Sequence, residues 1–255
     1  MRSHRLLVAL VTVGVVILAH GPANAVMIAR YSFDAGNAND LSGNVNNGVV
    51  GSNVSFPSDT IFGNGLSAST GIGGGNTRII TVPTSATLES INNQLTISFW
   101  MRGDAAGNPD WGRLFQHANE GGGTQGWMIN RYSNTSDVNM RVDTLPSGFN
   151  QNIAVGGTVV LNNAWHHMMY TLNSGTYREY VDGLLSTSGA YNHGNGVYNT
   201  RPFVMFGVNG DGDFVGLLDD VALWDDAKGQ GYAATMNAVA RWFGYDLDVT
   251  GIEAV

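Results

Sequence analysis

The sequence predicts an all-β domain, a sandwich or a barrel, with one helix close to its C-terminus. Apolar and polar side chains alternate along residues 95–101, and this period of two indicates a strand with one buried face. Short segments of this kind recur at regular spacing with turns rich in Gly, Asn and Ser between them, which is typical of antiparallel sheets. The one helical stretch is 229–243, where apolar residues recur at helical spacing and Gly244 follows.

The predicted strands can be placed in chain order. In 95–101, the row that starts with Leu95 is expected to point inward and the row that starts with Thr96 outward. A hairpin across 173–175 and a tight turn at Asp182-Gly183 connect later strands. Two sheets packed face to face would bury the inward rows. After 95–101, the predicted strands cover 113–118, 126–131, 138–142, 165–172, 177–181, 201–208 and 214–224.

The N-terminus has the pattern of a secretory signal peptide. Arg2 and Arg5 precede an apolar run over 6–19, and Ala23-Asn-Ala25 places small residues at a cleavage site. The alternative is a membrane anchor, but the run is shorter than the roughly 20 apolar residues that a span requires. We therefore predict a secreted or cell-surface protein with no membrane span after cleavage. The expected organisation is a signal peptide over 1–25, one β-sandwich domain over 26–246 and a tail over 247–255.

The composition limits the source and the classes of partner that we expect for this protein. The chain has no cysteine, so a domain of this size must rely on its core rather than on disulfides, which favours a bacterial source. The net charge is −8, with 12 Lys and Arg residues, and Lys228 is the only lysine. Because no basic stripe is present, nucleic acid is not an expected partner.

Four motifs occur in a fixed order along the chain. They are Tyr31-Ser-Phe-Asp34 with Asp40-Leu-Ser-Gly-Asn44, Leu95-Thr-Ile-Ser-Phe-Trp100, Trp165-His-His with Tyr180-Val-Asp-Gly183, and Gly216-Leu-Leu-Asp-Asp-Val221. Together they resemble the laminin-G-like domains of the concanavalin A-like superfamily. The resemblance implies a two-sheet antiparallel jelly-roll sandwich that binds a ligand, often with calcium and often without chemistry. The chain departs from the family at Gly65-Leu-Ser-Ala-Ser69, which lacks a common Phe-Asp-Gly, and at Asp220, where many members have Glu.

The loop in the first motif is a candidate calcium site. Calcium takes about six to eight oxygen ligands, and the loop offers side-chain oxygens at every second position from Asp40 to Asn44. The resemblance also implies that an aspartate of the last strand lies beside this loop. The alternative is an Asx-turn loop, whose side chains bind their own backbone. The predicted ligands of a structural Ca²⁺ ion are Asp34, Asp40, Ser42, Asn44, Asp219 and Asp220.

Aromatic residues beside polar turns are candidate sugar-binding residues, because a large amphipathic ring can stack on a sugar. The predicted carbohydrate-binding residues are Trp111, Trp127, Tyr132 and Asp110. The expected function is noncatalytic carbohydrate binding by a secreted module. The alternative is a structural or adhesion protein that binds another protein at the cell surface.

Catalysis is not expected. A glycoside hydrolase needs two carboxylates beside the scissile bond, and the four glutamates of this chain are far apart in sequence. Asp211 with Asp213 leaves a hydrolase as a weaker alternative, and Gln116-His117 on a strand leaves a polysaccharide lyase as another.

Overall fold

The structure is a computed structural model that describes residues 26–61, 65–70, 76–118, 125–144, 150–155, 157–207 and 212–243, with residues 76, 150 and 238–243 described by their backbone alone. The predicted signal peptide and C-terminal tail lie outside the described residues. None of the helices in the described part of the chain is long and apolar enough to cross a membrane.

The described elements are fifteen strands and two α-helices. The helices are α1 (Ala86–Glu89) and α2 (Gln230–Phe243). The strands are β1 (Met27–Tyr31), β2 (Val49–Val50), β3 (Val54–Ser55), β4 (Ala68–Thr70), β5 (Ile80–Val82), β6 (Gln94–Gly103), β7 (Arg113–His117), β8 (Gly126–Arg131), β9 (Val138–Asp143), β10 (Asn150–Ile153), β11 (His166–Asn173), β12 (Thr176–Val181), β13 (Leu184–Ala190), β14 (Phe203–Met205) and β15 (Gly216–Trp224).

These strands form two antiparallel sheets packed as a sandwich, as the sequence predicts. The first sheet has the order β13-β12-β11-β6-β15-β4-β3, with β1 also paired to β15. The second sheet has the order β10-β9-β8-β7-β14-β5-β2. Aromatic rings from both sheets meet between them: Phe99 of the first sheet lies edge-on to Phe115 of the second, at 4.6 Å between centroids. The apolar rows that face each other form the main core.

Two predicted turns have the geometry that their residues favour. The β11–β12 hairpin turns through Ser174 and Gly175, and the β12–β13 hairpin turns through Asp182 and Gly183. All four residues have positive φ, from 43° to 99°. This is the type I′ conformation, whose twist matches that of the flanking strands. The structure therefore confirms both predicted turns and shows that residues with positive φ form them.

Both faces of β6 in the first sheet are buried, although the alternation in 95–101 predicts a half-buried strand. A second apolar layer forms where α2 lies on the outer face of this sheet. The outward Thr96 is fully buried because its hydroxyl donates to the carbonyl of Asp226 at 2.5 Å, and Lys228 N–H donates to it at 2.9 Å. The segment that leads into α2 therefore covers the row that was expected to face solvent. The members of this layer are Met169, Tyr180, Ala222, Trp224, Tyr232, Ala233 and Met236.

Candidate functional site

Three of the four predicted sugar-binding residues lie together at one end of the second sheet. Trp111 lies two residues before β7 and Tyr132 lies one residue after β8. Their ring centroids are 5.4 Å apart with an interplanar angle of 83°, an edge-to-face contact. Trp111 is 40% exposed, and the neighbouring side chain of Asp110 is also exposed. Trp111 and Tyr132 are called the aromatic platform below.

The aromatic platform is held by a buried arginine. Arg131 donates from Nε to the carbonyl of Thr135 at 2.7 Å and from Nη1 to the carbonyl of Asn108. The same guanidinium lies 3.7 Å from the carboxylate of Asp110. One side chain therefore ties the loop that carries Trp111 to the turn that follows Tyr132.

The backbone of Trp111 is strained. Its φ is +62°, in the left-handed region that a bulky side chain rarely adopts. A conformation of this kind costs on the order of 1–3 kcal/mol and persists only where the surrounding structure holds it. The loop therefore holds the indole in place at a cost to stability, which is a reason to examine Trp111 for function.

The prediction for Trp127 does not agree with the structure. Trp127 is completely buried, with its ring centroid 5.7 Å from that of Phe203 in the main core. It points inward because alternation along β8 puts it in the same row as Ile129. Its indole is therefore packed in the core and cannot stack on a ligand.

A second polar surface, which the motifs did not indicate, lies on the outer side of β7, β8 and β9. In these strands Phe115, Ile129 and Met140 belong to the main core, so the alternate residues project from the opposite face. The register places Asn130 opposite Asn139. The signal was present in β9, where polar residues alternate with apolar ones. The residues of this surface, called the amide face below, are Gln116, Asn130, Asn139, Arg141 and Asp143.

The amide groups of this face use their N–H donors and leave their oxygens open. Asn130 Nδ2 donates to the carbonyl of Arg131 at 2.7 Å, and Gln116 Nε2 donates to the carbonyl of Ala118 at 3.0 Å. Asn139 Nδ2 lies 3.3 Å from the carbonyl of Met140 and from Asn152 Oδ1. The atoms of the face without a hydrogen-bond partner among the described residues are Gln116 Oε1, Asn130 Oδ1, Asn139 Oδ1, Asp143 Oδ1 and Arg141 Nε.

Such a group of open polar atoms is energetically unusual. A buried polar atom without a partner costs about 1–3 kcal/mol, and folded proteins leave only a few per hundred residues. Five such atoms lie on one face of three adjacent strands. The two charges on this face are of opposite sign: burial raises the pKa of the Asp143 carboxyl, and the positive charge of Arg141 opposes that increase. The face therefore presents four open acceptors and one open donor.

The predicted calcium loop is already satisfied by the protein. Asp40 accepts four hydrogen bonds, from the N–H groups of Arg30, Ser42 and Asn46 and from the hydroxyl of Ser42. Asn44 Nδ2 donates to backbone carbonyls of β1. This is the Asx-turn alternative, and the loop does not present a free set of oxygens to a cation.

Asp220 is also not available to a metal cation, because its carboxylate is already paired with an arginine. Its carboxylate forms a buried ion pair with Arg30, at 3.0 Å between Oδ1 and Nε. Asp220 lies at an irregularity in the pairing of β15 with β6, and its φ is +43°. The ion pair holds β1 to β15 at that irregularity.

The charge of one predicted metal ligand, Asp34, acts on another, Asp219. Burial raises the pKa of Asp219 to about 8; the charges of Asp220 and Asp34 add to the increase, and a hydrogen bond from Thr60 opposes it. Asp34 Oδ1 accepts from Leu66 N–H at 3.2 Å, and a Cβ at Gly65 would lie 1.9 Å from that oxygen. Among the described residues, no group of three or more His, Asp and Glu side chains is placed to hold a metal ion.

Two residues of the catalytic alternatives, Asp213 and His117, are buried. Asp213 forms a buried ion pair with Arg78 at 3.0 Å, and Asp211 lies outside the described residues. His117 is buried, and burial lowers its pKa to about 4. A neutral imidazole closed off from solvent is poorly suited to accept a proton from a sugar.

The two antiparallel sheets define the fold as a jelly-roll sandwich, and the comparison with known families supports the same fold. A family model described as the concanavalin A-like lectin/glucanases superfamily matches residues 73–231. The chain belongs to that superfamily. No curated protein matches the chain in sequence.

Solved structures share the fold at low sequence identity. The binding domain of Paraclostridial Mosquitocidal Protein 1 has a TM-score of 0.65 at 19% identity, over 83% of this chain and 51% of that one. Domain 4 of AbnA, a GH43 extracellular arabinanase from Geobacillus stearothermophilus, in complex with arabinotriose, has a TM-score of 0.66 at 17% identity, over 84% and 99%. The Botulinum Neurotoxin serotype G binding domain has a TM-score of 0.64 at 14% identity, over 86% and 54%. The chain thus spans about half of the two toxin domains.

Proposed function

We propose that this chain is a noncatalytic module that binds carbohydrate at the aromatic platform. The observation that carries the proposal is the exposed indole of Trp111, held against the edge of Tyr132 by a strained backbone. A sugar ring can stack on such a surface, and the exposed carboxylate of Asp110 can accept hydrogen bonds from its hydroxyls. A noncatalytic role is supported because Asp213 and His117 are committed to the interior.

Structures of the same fold support carbohydrate as the ligand class. One of them is the arabinanase domain in complex with arabinotriose, and another is from botulinum neurotoxin type C, whose cell entry is dependent upon interaction with two ganglioside molecules. Sequence identity to both is below one fifth, so the support comes from a shared architecture and not from shared residues.

The experiment is affinity gel electrophoresis of the purified protein in gels that contain arabinan, xylan, mannan or mixed-linkage β-glucan. We expect at least one polysaccharide to retard the wild-type protein and Trp111→Ala to abolish the retardation. Tyr198→Ala is the matched control, because Tyr198 is 42% exposed and lies elsewhere in the fold. Equal retardation of all three proteins would contradict the role of the platform, and no retardation on any gel would contradict carbohydrate binding.

We also propose a structural calcium ion at Asp34 and Asp219. The negative charge of Asp34 raises the pKa of Asp219, and a divalent cation, which favours oxygen ligands, would stabilise the ionised carboxylate. The remaining ligands would be backbone carbonyls and water. When bound, the ion would neutralise these carboxylates and hold the loop after β3 against β15.

Secretion is part of the same proposal. Cleavage after Ala25 would release a chain that begins at Val26, directly before β1. Mass spectrometry of the protein released by a secreting host is expected to show this N-terminus. An uncleaved chain retained in the membrane would contradict it.

A protein partner is the second candidate, favoured by the edge strand β13. Leu184 and Leu185 on this edge are 68% and 45% exposed. Large exposed apolar side chains beside a free strand edge are typical of sites where another chain pairs. Leu185→Asp would weaken a protein complex without changing retardation by polysaccharide.

A further inference from the structure

We propose that removal of the N-terminal segment creates an ion pair between the α-ammonium group of Val26 and the carboxylate of Asp225, which fastens the first strand of the sandwich to the last. The inference rests on the secretion proposed above and gives the new terminus a structural role. It starts from one contact: the backbone N–H of Val26 donates to Asp225 Oδ1 at 2.9 Å, between residues 199 positions apart in the chain.

This contact lies at one end of a pair of strands. Among the described strands, β1 pairs with β15, and the contact lies one residue beyond the first pair of their register. The N–H of Asp225 also donates back to the carbonyl of Val26 at 3.2 Å. Towards the other end of β1, the buried ion pair of Arg30 with Asp220 already joins the two strands. An ion pair at Val26 would therefore hold β1 to β15 at the end where the chain begins after cleavage.

The carboxylate of Asp225 has no cationic partner of its own in the described part of the chain. No arginine, lysine or histidine side chain described there forms an ion pair with it. The neighbouring Asp226 differs, because the ammonium of Lys228 lies 3.1 Å from its carboxylate. A positive charge at the nitrogen of Val26 would thus meet a carboxylate that it does not have to share.

Cleavage supplies that charge at the nitrogen that already makes the contact. Hydrolysis of the peptide bond between Ala25 and Val26 by a signal peptidase of the host consumes one water, leaves a carboxylate on Ala25 and leaves an amino group on Val26. An α-amino group has an ordinary pKa of about 7.7–8.0, so it takes up a proton at neutral pH. The distance of 2.9 Å fits the range of about 2.7–2.9 Å that is usual between an ammonium and a carboxylate. The hydrogen bond of a neutral amide thereby becomes a charged one between the same two atoms.

The expected consequence is local. The ends of a chain are poorly ordered unless a contact ties them down, and β1 would be the terminal strand of the mature protein. Because the pair is partly exposed to solvent, its contribution is modest and is weakened by salt. We therefore expect it to limit the opening of β1 rather than to decide whether the sandwich folds.

The experiment measures amide hydrogen exchange of β1 in four chains released by a secreting host. They are the wild type, Asp225→Asn, a chain with Gly-Ser inserted between Ala25 and Val26, and the combination of both changes. The insertion keeps the N–H of Val26 as a donor but moves the ammonium away, and Asp225→Asn keeps an oxygen acceptor but removes its charge. At about pH 6.5 in low salt, we expect each single change to raise the opening equilibrium of β1 by about two- to fivefold. The combination should raise it no further than either change alone, because both remove the same interaction.

Asp104→Asn is the matched control. Asp104 also accepts a backbone N–H at 2.9 Å, from Ala106, and it follows Gly103, which pairs with Gly216 at the opposite end of β15. We expect this variant to leave exchange in β1 unchanged, and we expect about 1 M salt to reduce the effect of Asp225→Asn.

Mass spectrometry of each released chain separates the two proposals. A wild-type protein that begins at Val26, with effects of the two changes that simply add, would overturn the ion pair and leave the proposed cleavage intact. A wild-type protein that begins at another residue would overturn both. If the insertion moves the cleavage site, the salt dependence of Asp225→Asn decides: an effect that is the same in low and high salt would assign the contact to the hydrogen bond alone and overturn the ion pair.

Discussion

The indole of Trp111 meets the ring of Tyr132 edge-on, 5.4 Å between centroids, from a backbone position with φ +62°. A strained residue in an exposed aromatic contact is more informative than exposure alone, because folding stability would favour a smaller residue there. We therefore expect substitution of Trp111 to change ligand binding much more than it changes the free energy of unfolding.

Replacing Trp111 with glycine should separate the two properties. Glycine adopts positive φ without strain, which favours the variant, whereas loss of the aromatic pair, worth about 0.5–1.5 kcal/mol, disfavours it. We expect the free energy of unfolding in urea to change by less than about 1 kcal/mol while polysaccharide retardation is lost. A drop of several kcal/mol would mean that the indole is a structural residue.

Trp127→Ala should behave in the opposite way. Removing a fully buried Trp from a core typically costs about 3–5 kcal/mol. We expect a large fall in the midpoint of urea unfolding and, in the fraction that remains folded at low temperature, unchanged retardation by polysaccharide. Loss of retardation without loss of stability would restore the sugar-stacking interpretation of Trp127.

Asp219 should make stability depend on pH and on calcium. Its folded pKa of about 8 lies above the ordinary value of 3.8, so the protonated form is favoured in the folded state. Stability from this group is fully present below about pH 4 and is lost as pH rises toward 8, by an amount on the order of a few kcal/mol. We expect calcium to restore stability at pH 8 and Asp219→Asn to abolish both the pH dependence and the calcium response, measured by thermal unfolding with calcium or chelator.

Asp40→Asn is the matched test of a calcium ion in the loop from Asp40 to Asn44. The variant loses an oxygen acceptor for the N–H groups that Asp40 binds, so we expect a loss of about 1–3 kcal/mol in the free energy of unfolding. The increase in thermal stability on adding calcium should be as large as in the wild type. Disappearance of that increase in Asp40→Asn would return the ion to the loop.

Glu179 should add a second pH dependence of the same sign. It is completely buried opposite Tyr170, and burial raises its pKa from 4.5 to about 7. Stability from Glu179 is present below about pH 4.5 and is lost as pH rises through 7. We expect Glu179→Gln to be more stable than the wild type at pH 8 and similar at pH 4.5, with the calcium response unchanged. A variant that is less stable at pH 8 would show that the carboxylate is needed in its ionised form.

Lys228 should stabilise the packing of α2 through its charge. Its ammonium lies 5.9 Å from the ring of Trp224 and 5.6 Å from the ring of Tyr232, and 3.1 Å from the carboxylate of Asp226. We expect Lys228→Met to lower the free energy of unfolding by about 0.5–2 kcal/mol, whereas Lys228→Arg, which keeps the charge, should change it little. Equal values for the two variants would assign the effect to the methylene stem.

Local patterns were sufficient to predict most of the strands, both hairpins and the last helix. Alternation along Gln94–Gly103 and positive-φ residues such as Gly175 and Gly183 are properties of neighbouring residues, so they can be identified without a partner. The four motifs, taken in order, also indicated the family. Trp111 and Tyr132 were selected as candidates by a local rule, namely an aromatic residue beside a polar turn.

Only the tertiary structure decided which of these residues are exposed and which are buried. Alternation shows that Trp127 and Met128 face opposite ways, but it does not show which row is covered; packing against Phe203 decides that. The ion pair that occupies Asp220 joins it to Arg30, which is far away in the chain. The amide face exists because register places Asn130 beside Asn139. Covering and register depend on contacts between distant segments, and a single sequence contains no local signal of them.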